Sequence, residues 1–180
     1  MLKKPLLILA IAAAVSLPAG ASTVDGTGSF SIGAAKTKLD MIDEGTIYGV
    51  NIKYQYEPNG SRLGFLSSFT YASGDDSVDR GYGGKADLDM RYYSFGLGPS
   101  YRVIDQVSVY GLFGFAGAKA KLSGGASVSD HFEPVFGLGV RAFPYGNIVL
   151  DAHYEKATAF NSSRYRLEAD TFTVGIGLMF

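Results

Sequence analysis

The chain has 180 residues, 47% of them hydrophobic, a formal net charge of −1 and no cysteine. Its length suits one domain; the missing cysteines exclude disulfides, thiolate metal sites and a lipoprotein anchor, and the charge offers nucleic acid no basic block. With Gly 24, Tyr 12, Phe 12 and Trp 0, such an apolar chain is either a soluble β-sandwich or a membrane barrel whose apolar residues are dispersed one in two.

Lys3 and Lys4 precede an apolar stretch from Leu6 to Val15, and Pro18 then precedes Ala19-Gly20-Ala21, a small-x-small cleavage pattern. This stretch is too short to cross ~30 Å of hydrocarbon as a helix, which takes about 20 residues. A signal peptide over residues 1–21 is expected, leaving a domain over 22–180 with a net charge of −3, because two lysines leave and no acid does.

Residues 23–36 supply a first strand, with Phe30 and Ile32 on one parity. Tyr48, Val50, Ile52, Tyr54 and Tyr56 then alternate with Gly49, Asn51, Lys53, Gln55 and Glu57, a strand with one greasy and one polar face. Pro58-Asn59-Gly60 breaks it as a turn. Leu63, Phe65, Phe69 and Tyr71 share the next face, with Leu66 out of pattern. Tyr93, Phe95, Leu97, Pro99, Tyr101 and Val103 form the fourth strand, and Val107, Val109, Phe113 and Phe115 the fifth, where Tyr110 and Leu112 blur the alternation. Phe132, Phe136, Leu138 and Val140 mark the sixth; Ile148, Leu150, Ala152 and Tyr154 the seventh; Phe172, Val174, Ile176, Leu178 and Phe180 the eighth.

Short turns near 58–62, 104–106 and 144–147 alternate with long polar segments at about 37–46, 72–89, 122–131 and 156–168. An even strand number with short turns at one end and long loops at the other is the pattern of an outer-membrane barrel, and aromatics near the strand ends suit its two girdles. Open edges cannot exist in lipid, so the strands must close. The expected fold is all-β, an eight-stranded antiparallel transmembrane β-barrel in the outer membrane, with loops extracellular and both termini periplasmic.

Three segments resemble the Ail/Lom/OmpX family of enterobacterial outer-membrane proteins: Gly49-Val50-Asn51-Ile52-Lys53-Tyr54-Gln55-Tyr56-Glu57, Gly98-Pro99-Ser100-Tyr101-Arg102-Val103-Ile104-Asp105 followed by Val109-Tyr110-Gly111, and Gly175-Ile176-Gly177-Leu178-Met179-Phe180. Gln55 stands where that family usually has Arg, and Leu178-Met179 replace an aromatic-basic pair. The resemblance implies an eight-stranded barrel, some of whose relatives are adhesins or invasins that bind host matrix proteins and complement regulators. Phe172, Val174, Ile176, Leu178 and Phe180 resemble the terminal signal read by the barrel-assembly machinery.

Asp151, His153 and Glu155 share the polar face of the seventh strand. They read as an interior network with Lys53, Glu57, Arg102 and Arg141, since buried carboxylates need partners; a catalytic cluster of a lipid A-modifying enzyme is the alternative. Eight strands enclose only enough space for their own side chains, so an open pore is not expected. Lys119, Lys121, Lys156, Arg164 and Arg166 are basic residues near the loop end, suited to lipopolysaccharide phosphates or sulfated host glycans. No cofactor, metal or nucleic acid is expected. The leading function is a monomeric, non-enzymatic surface protein whose loops mediate adhesion, invasion or serum resistance; the others are the lipid A enzyme and a structural envelope protein without a specific ligand.

Overall fold

The computed structural model describes residues 26–39, 45–80, 84–122, 127–128, 132–158 and 168–180. The expected signal peptide, residues 1–21, lies outside them. Eight strands form the wall: β1 (Gly26–Leu39), β2 (Gly45–Pro58), β3 (Leu63–Arg80), β4 (Gly84–Ile104), β5 (Val107–Leu122), β6 (Phe132–Ala142), β7 (Ile148–Thr158) and β8 (Glu168–Met179). Each pairs antiparallel with its neighbours in the chain, and β1 pairs with β8 from Ser29↔Met179 to Leu39↔Ala169, which closes the ring. A two-residue segment, Ser127–Val128, adds to β5 at Ala120 and Lys121.

The register fixes the barrel's shape. From Asp170 on β8 the facing residues run through Lys156, Phe136, Phe113, Leu97, Ser67, Tyr54 and Phe30, and return to β8 at Leu178, eight residues further on. Eight strands with a stagger of eight tilt by about 36° and leave an interior that side chains fill. The alternation read from the sequence follows the wall closely. Tyr54, Phe69, Phe95, Phe113, Phe136 and Ile176 face outward and are 38–57% exposed, whereas Ser31, Lys53, Thr70, Ser94 and Arg141 on the opposite parity are at most 3% exposed. This is the inverse of a soluble core, as lipid contact on one face and a closed lumen on the other require.

Leu66, Tyr110 and Leu112, which broke the expected pattern, keep strict parity: they point inward and pack together at 0–6% exposure. An apolar residue at an inward position disturbs the hydrophobic pattern without disturbing the strand.

The strands also run past the expected loop limits. Within 72–89, β3 and β4 continue from Ala72↔Tyr92 to Arg80↔Gly84, nine residue pairs beyond the aromatic pair Tyr71↔Tyr93. β5 accompanies them to Leu122↔Leu88. Likewise β1 reaches Leu39, β2 starts at Gly45 and β7 reaches Thr158. Alternating hydrophobicity marks only the part of a strand in lipid, whereas ladder hydrogen bonds continue wherever two backbones stay side by side. A lipid span needs about 9–11 residues, so β3 with 18 residues and β4 with 21 carry a sheet beyond it. At the other end the turns are tight, with Gly60 at φ 72° and Gly146 at φ 52°, where a side chain would be strained.

Inward glycines make room for the lumen's large side chains. A Cβ at Gly139 would lie 2.3 Å from the Tyr110 ring, and one at Gly137 would lie 2.5 Å from Nε2 of His153. Gly139→Ala should therefore destabilise the barrel by about 1–3 kcal/mol through overpacking. Urea unfolding in phospholipid vesicles measures the loss, and adding Tyr110→Leu should recover part of it.

Candidate functional site

The lumen and the loop-end rim are the two places where polar chemistry is concentrated. In the lumen, Asp151 on β7 is the hub. It accepts from Nζ of Lys53 at 2.6 Å, Nε of Arg141 at 3.0 Å and the Tyr110 hydroxyl at 2.9 Å. Arg141 then spans the barrel, donating to Ser29 at 2.8 Å, Ser31 at 2.6 Å and Oε1 of Gln55 at 2.9 Å. Lys53 also donates to Asn51 at 2.6 Å. Gln55 donates to Glu57, and Glu57 is ion-paired with Arg102. The guanidinium of Arg102 lies 4.3 Å from the centre of the Phe143 ring, which folds into the turn end at 7% exposure.

Of the seven residues expected in the interior network, Lys53, Arg141 and Asp151 meet directly, and Glu57 with Arg102 joins them through Gln55. His153 and Glu155 lie deeper toward the loops and make no hydrogen bond to Lys53, Arg141 or Asp151 among the described residues. Glu155 accepts from Tyr92 at 2.9 Å and Ser94 at 2.6 Å. His153 holds Thr173 on Nδ1 at 3.1 Å and stacks on Tyr110, while its Nε2 has no hydrogen-bond partner among the described residues and stands 4.0 Å from Glu155. His153 is 1% exposed. Its ring faces the lumen, away from the lipid boundary where a lipid A-modifying centre would have to work.

Gln55, Asn51, Ser94 and Tyr92 were not singled out as site residues, although the inward parity of the first three was legible. Phe143 was not legible at all: it follows the end of β6, where no alternation operates.

At the rim, outward residues align across neighbouring strands. Tyr48, Lys36, Phe172 and Tyr154 face one another in register on β2, β1, β8 and β7. One step nearer the loops lie Lys38, Asp170 and Lys156. Nζ of Lys156 is 3.4 Å from Glu168 and 3.9 Å from Asp170, which also accepts from the Tyr154 hydroxyl. Lys36 and Lys38 were missed as rim residues, though they continue the parity of Phe30 and Ile32.

On the opposite side, Arg91 pairs with Asp89 at 3.0 Å, and the ladder places Lys119 beside Arg91 and Lys121 beside Asp89. Arg164 and Arg166 lie outside the described residues. Phe172, Val174, Ile176, Leu178 and Phe180 all face outward at 51–63% exposure, and Phe180 exchanges two backbone hydrogen bonds with Gly28 of β1.

Comparison with known proteins gives a consistent result. The sequence model of the outer membrane protein β-barrel domain family matches residues 6–180. Outer membrane protein X of Enterobacter cloacae is 30% identical over 99% of this chain and all of that protein. The attachment invasion locus protein of Yersinia pseudotuberculosis is 34% identical over 86% of this chain and 87% of its own length. Among solved structures, Ail, the attachment invasion locus protein of Yersinia pestis, in complex with the heparin analogue sucrose octasulfate, aligns with a TM-score of 0.70 at 30% identity over 87% of this chain and 99% of that one. The closed eight-stranded wall, its inverted burial and these matches lead to one assignment: the chain is an integral outer-membrane β-barrel protein and belongs to the Ail/OmpX family.

Proposed function

We propose that the chain is a non-enzymatic surface protein whose barrel anchors an adhesive loop end, in the manner named for its attachment invasion locus relatives. One observation carries this reading. The lumen is filled by its own side chains, while β3, β4 and β5 continue as a sheet past the lipid-facing band and carry Arg91, Lys119 and Lys121 there. In this reading the loops are extracellular and both termini periplasmic, residues 1–21 direct export, and the outward residues of the last strand serve the barrel-assembly machinery.

The partners proposed are of two kinds. Lys36, Lys38 and Lys156 sit beside the aromatic row at headgroup depth, where ammonium groups meet lipopolysaccharide phosphates. Arg91, Lys119 and Lys121 stand further out and suit sulfated glycans of host matrix, with complement-regulatory proteins as a further partner class; a heparin analogue occupies the Yersinia pestis relative. The lipid A enzyme reading gains no support from a histidine enclosed in the lumen.

Cells displaying the chain should bind immobilised heparin, and the triple change Arg91→Ser, Lys119→Ser, Lys121→Ser should weaken that binding about tenfold. Added salt should weaken the parent more than the variant, because exposed charges are screened. Absence of binding by cells displaying the intact chain would overturn the adhesive reading.

A further inference from the structure

The loop end of the lumen is chemically unlike the rest. There a contiguous cluster of buried apolar side chains draws at least one member from each of the eight strands. Its large members are Leu39, Ile47, Met90, Tyr92 and Val135; alanines of the remaining strands complete it, and most of the cluster is at most 5% exposed. Met90 crosses from β4 toward β2, where its methyl group lies only 3.1 Å from the position a Cβ on Gly45 would take. Immediately below, the wall turns polar, with Thr37, Asn51, Thr70, Ser94, Thr171 and the Glu155 carboxylate all buried.

We infer that this ring is a closed hydrophobic gate, and that it, not the Lys53–Asp151–Arg141 network, bars water and small ions from the lumen. A polar network is a poor seal by itself. Its hydroxyls and amides can turn to meet an entering water molecule, which an apolar wall cannot do. An apolar constriction excludes water by dewetting, because an entering molecule loses hydrogen bonds and finds none. The ring has a movable part. Met90 is unbranched, with a soft thioether, and lies against Gly45, which has no side chain, so it is the member best able to swing aside.

The absence of cysteine makes the test clean. Ser94→Cys places a single thiol directly under the ring. In phospholipid vesicles holding the barrel with its loop end outward, a cationic methanethiosulfonate added outside should label this thiol very slowly in the otherwise unchanged protein. Adding Met90→Ala and Ile47→Ala should raise the labelling rate about 30-fold or more, since truncating a buried methionine shifts a local opening equilibrium by at least that factor. Adding Lys53→Met instead, which leaves Asp151 paired with Arg141, should leave the rate within about threefold of the parent. Heat-modifiable migration on gels verifies folding, and if the double truncation does not fold, Met90→Ala alone gives the same reading. Fast labelling of the parent, unchanged labelling after truncation in a folded barrel, or acceleration by Lys53→Met would each overturn the gate.

Discussion

Asp151→Asn should destabilise the folded barrel by about 3–5 kcal/mol, the range for removing one partner of a buried ion pair. The cause is not a single lost contact. Asp151 is 5% exposed and is the carboxylate shared by Lys53 and Arg141, themselves 2% and 0% exposed. The variant strands two cations in a closed lumen. Their other partners, Asn51, Gln55, Ser29 and Ser31, offer dipoles but no compensating charge.

Lys53→Met alone should cost much less, because Arg141 still meets Asp151. Combining it with Asp151→Asn should recover part of the loss, since one stranded cation is gone. Urea titrations of the purified barrel in vesicles measure all three proteins, and the interaction energy follows from the double-mutant cycle. Equal costs for the two single variants would contradict Asp151 as the hub.

The fold was legible because one physical rule governs every strand. A side chain in lipid must be apolar and its neighbours in sequence must not be, so β2, β4, β7 and β8 could be read residue by residue. The rule stops at the lipid boundary. Beyond Tyr71 and Tyr93 the sequence no longer alternates, so nothing in it distinguishes the projecting sheet of β3 and β4 from a loop. It also stops at the ends of the lumen. Inward Leu39, Ile47, Met90 and Val135 lie toward the loop end of the lumen, where an apolar residue on the inward parity blurs the alternation.

The interior network was legible in membership but not in wiring. Inward parity identified Lys53, Glu57, Arg102, Arg141, Asp151, His153 and Glu155. Which of them touch depends on stagger, and a stagger of eight brings Lys53 of β2 across to Asp151 of β7 while leaving Glu155 to Tyr92 and Ser94 of β4. Gln55 acts as a neutral relay between Arg141 and Glu57. A second guanidinium there would add a positive charge beside Arg141.

Ile52→Arg should cost the barrel about 2–4 kcal/mol in vesicles, the penalty for a guanidinium at the bilayer midplane on the lipid face. Ile52 lies in the middle of β2, between Ile32 of β1 and Phe69 of β3, all three facing outward. A charge at this depth has neither water nor a partner within reach, and the nearest headgroups are half a bilayer away. Moving the same substitution along the strand supplies the control. Thr46 shares the parity of Ile52 but lies beyond Tyr48, beside Lys38, so Thr46→Arg should cost less than about 1 kcal/mol, as for positions near the interface. The difference between the two variants measures depth independently of any change in strand propensity. If both cost the same, the outward face of β2 does not cross hydrocarbon, and the membrane assignment of this wall is wrong.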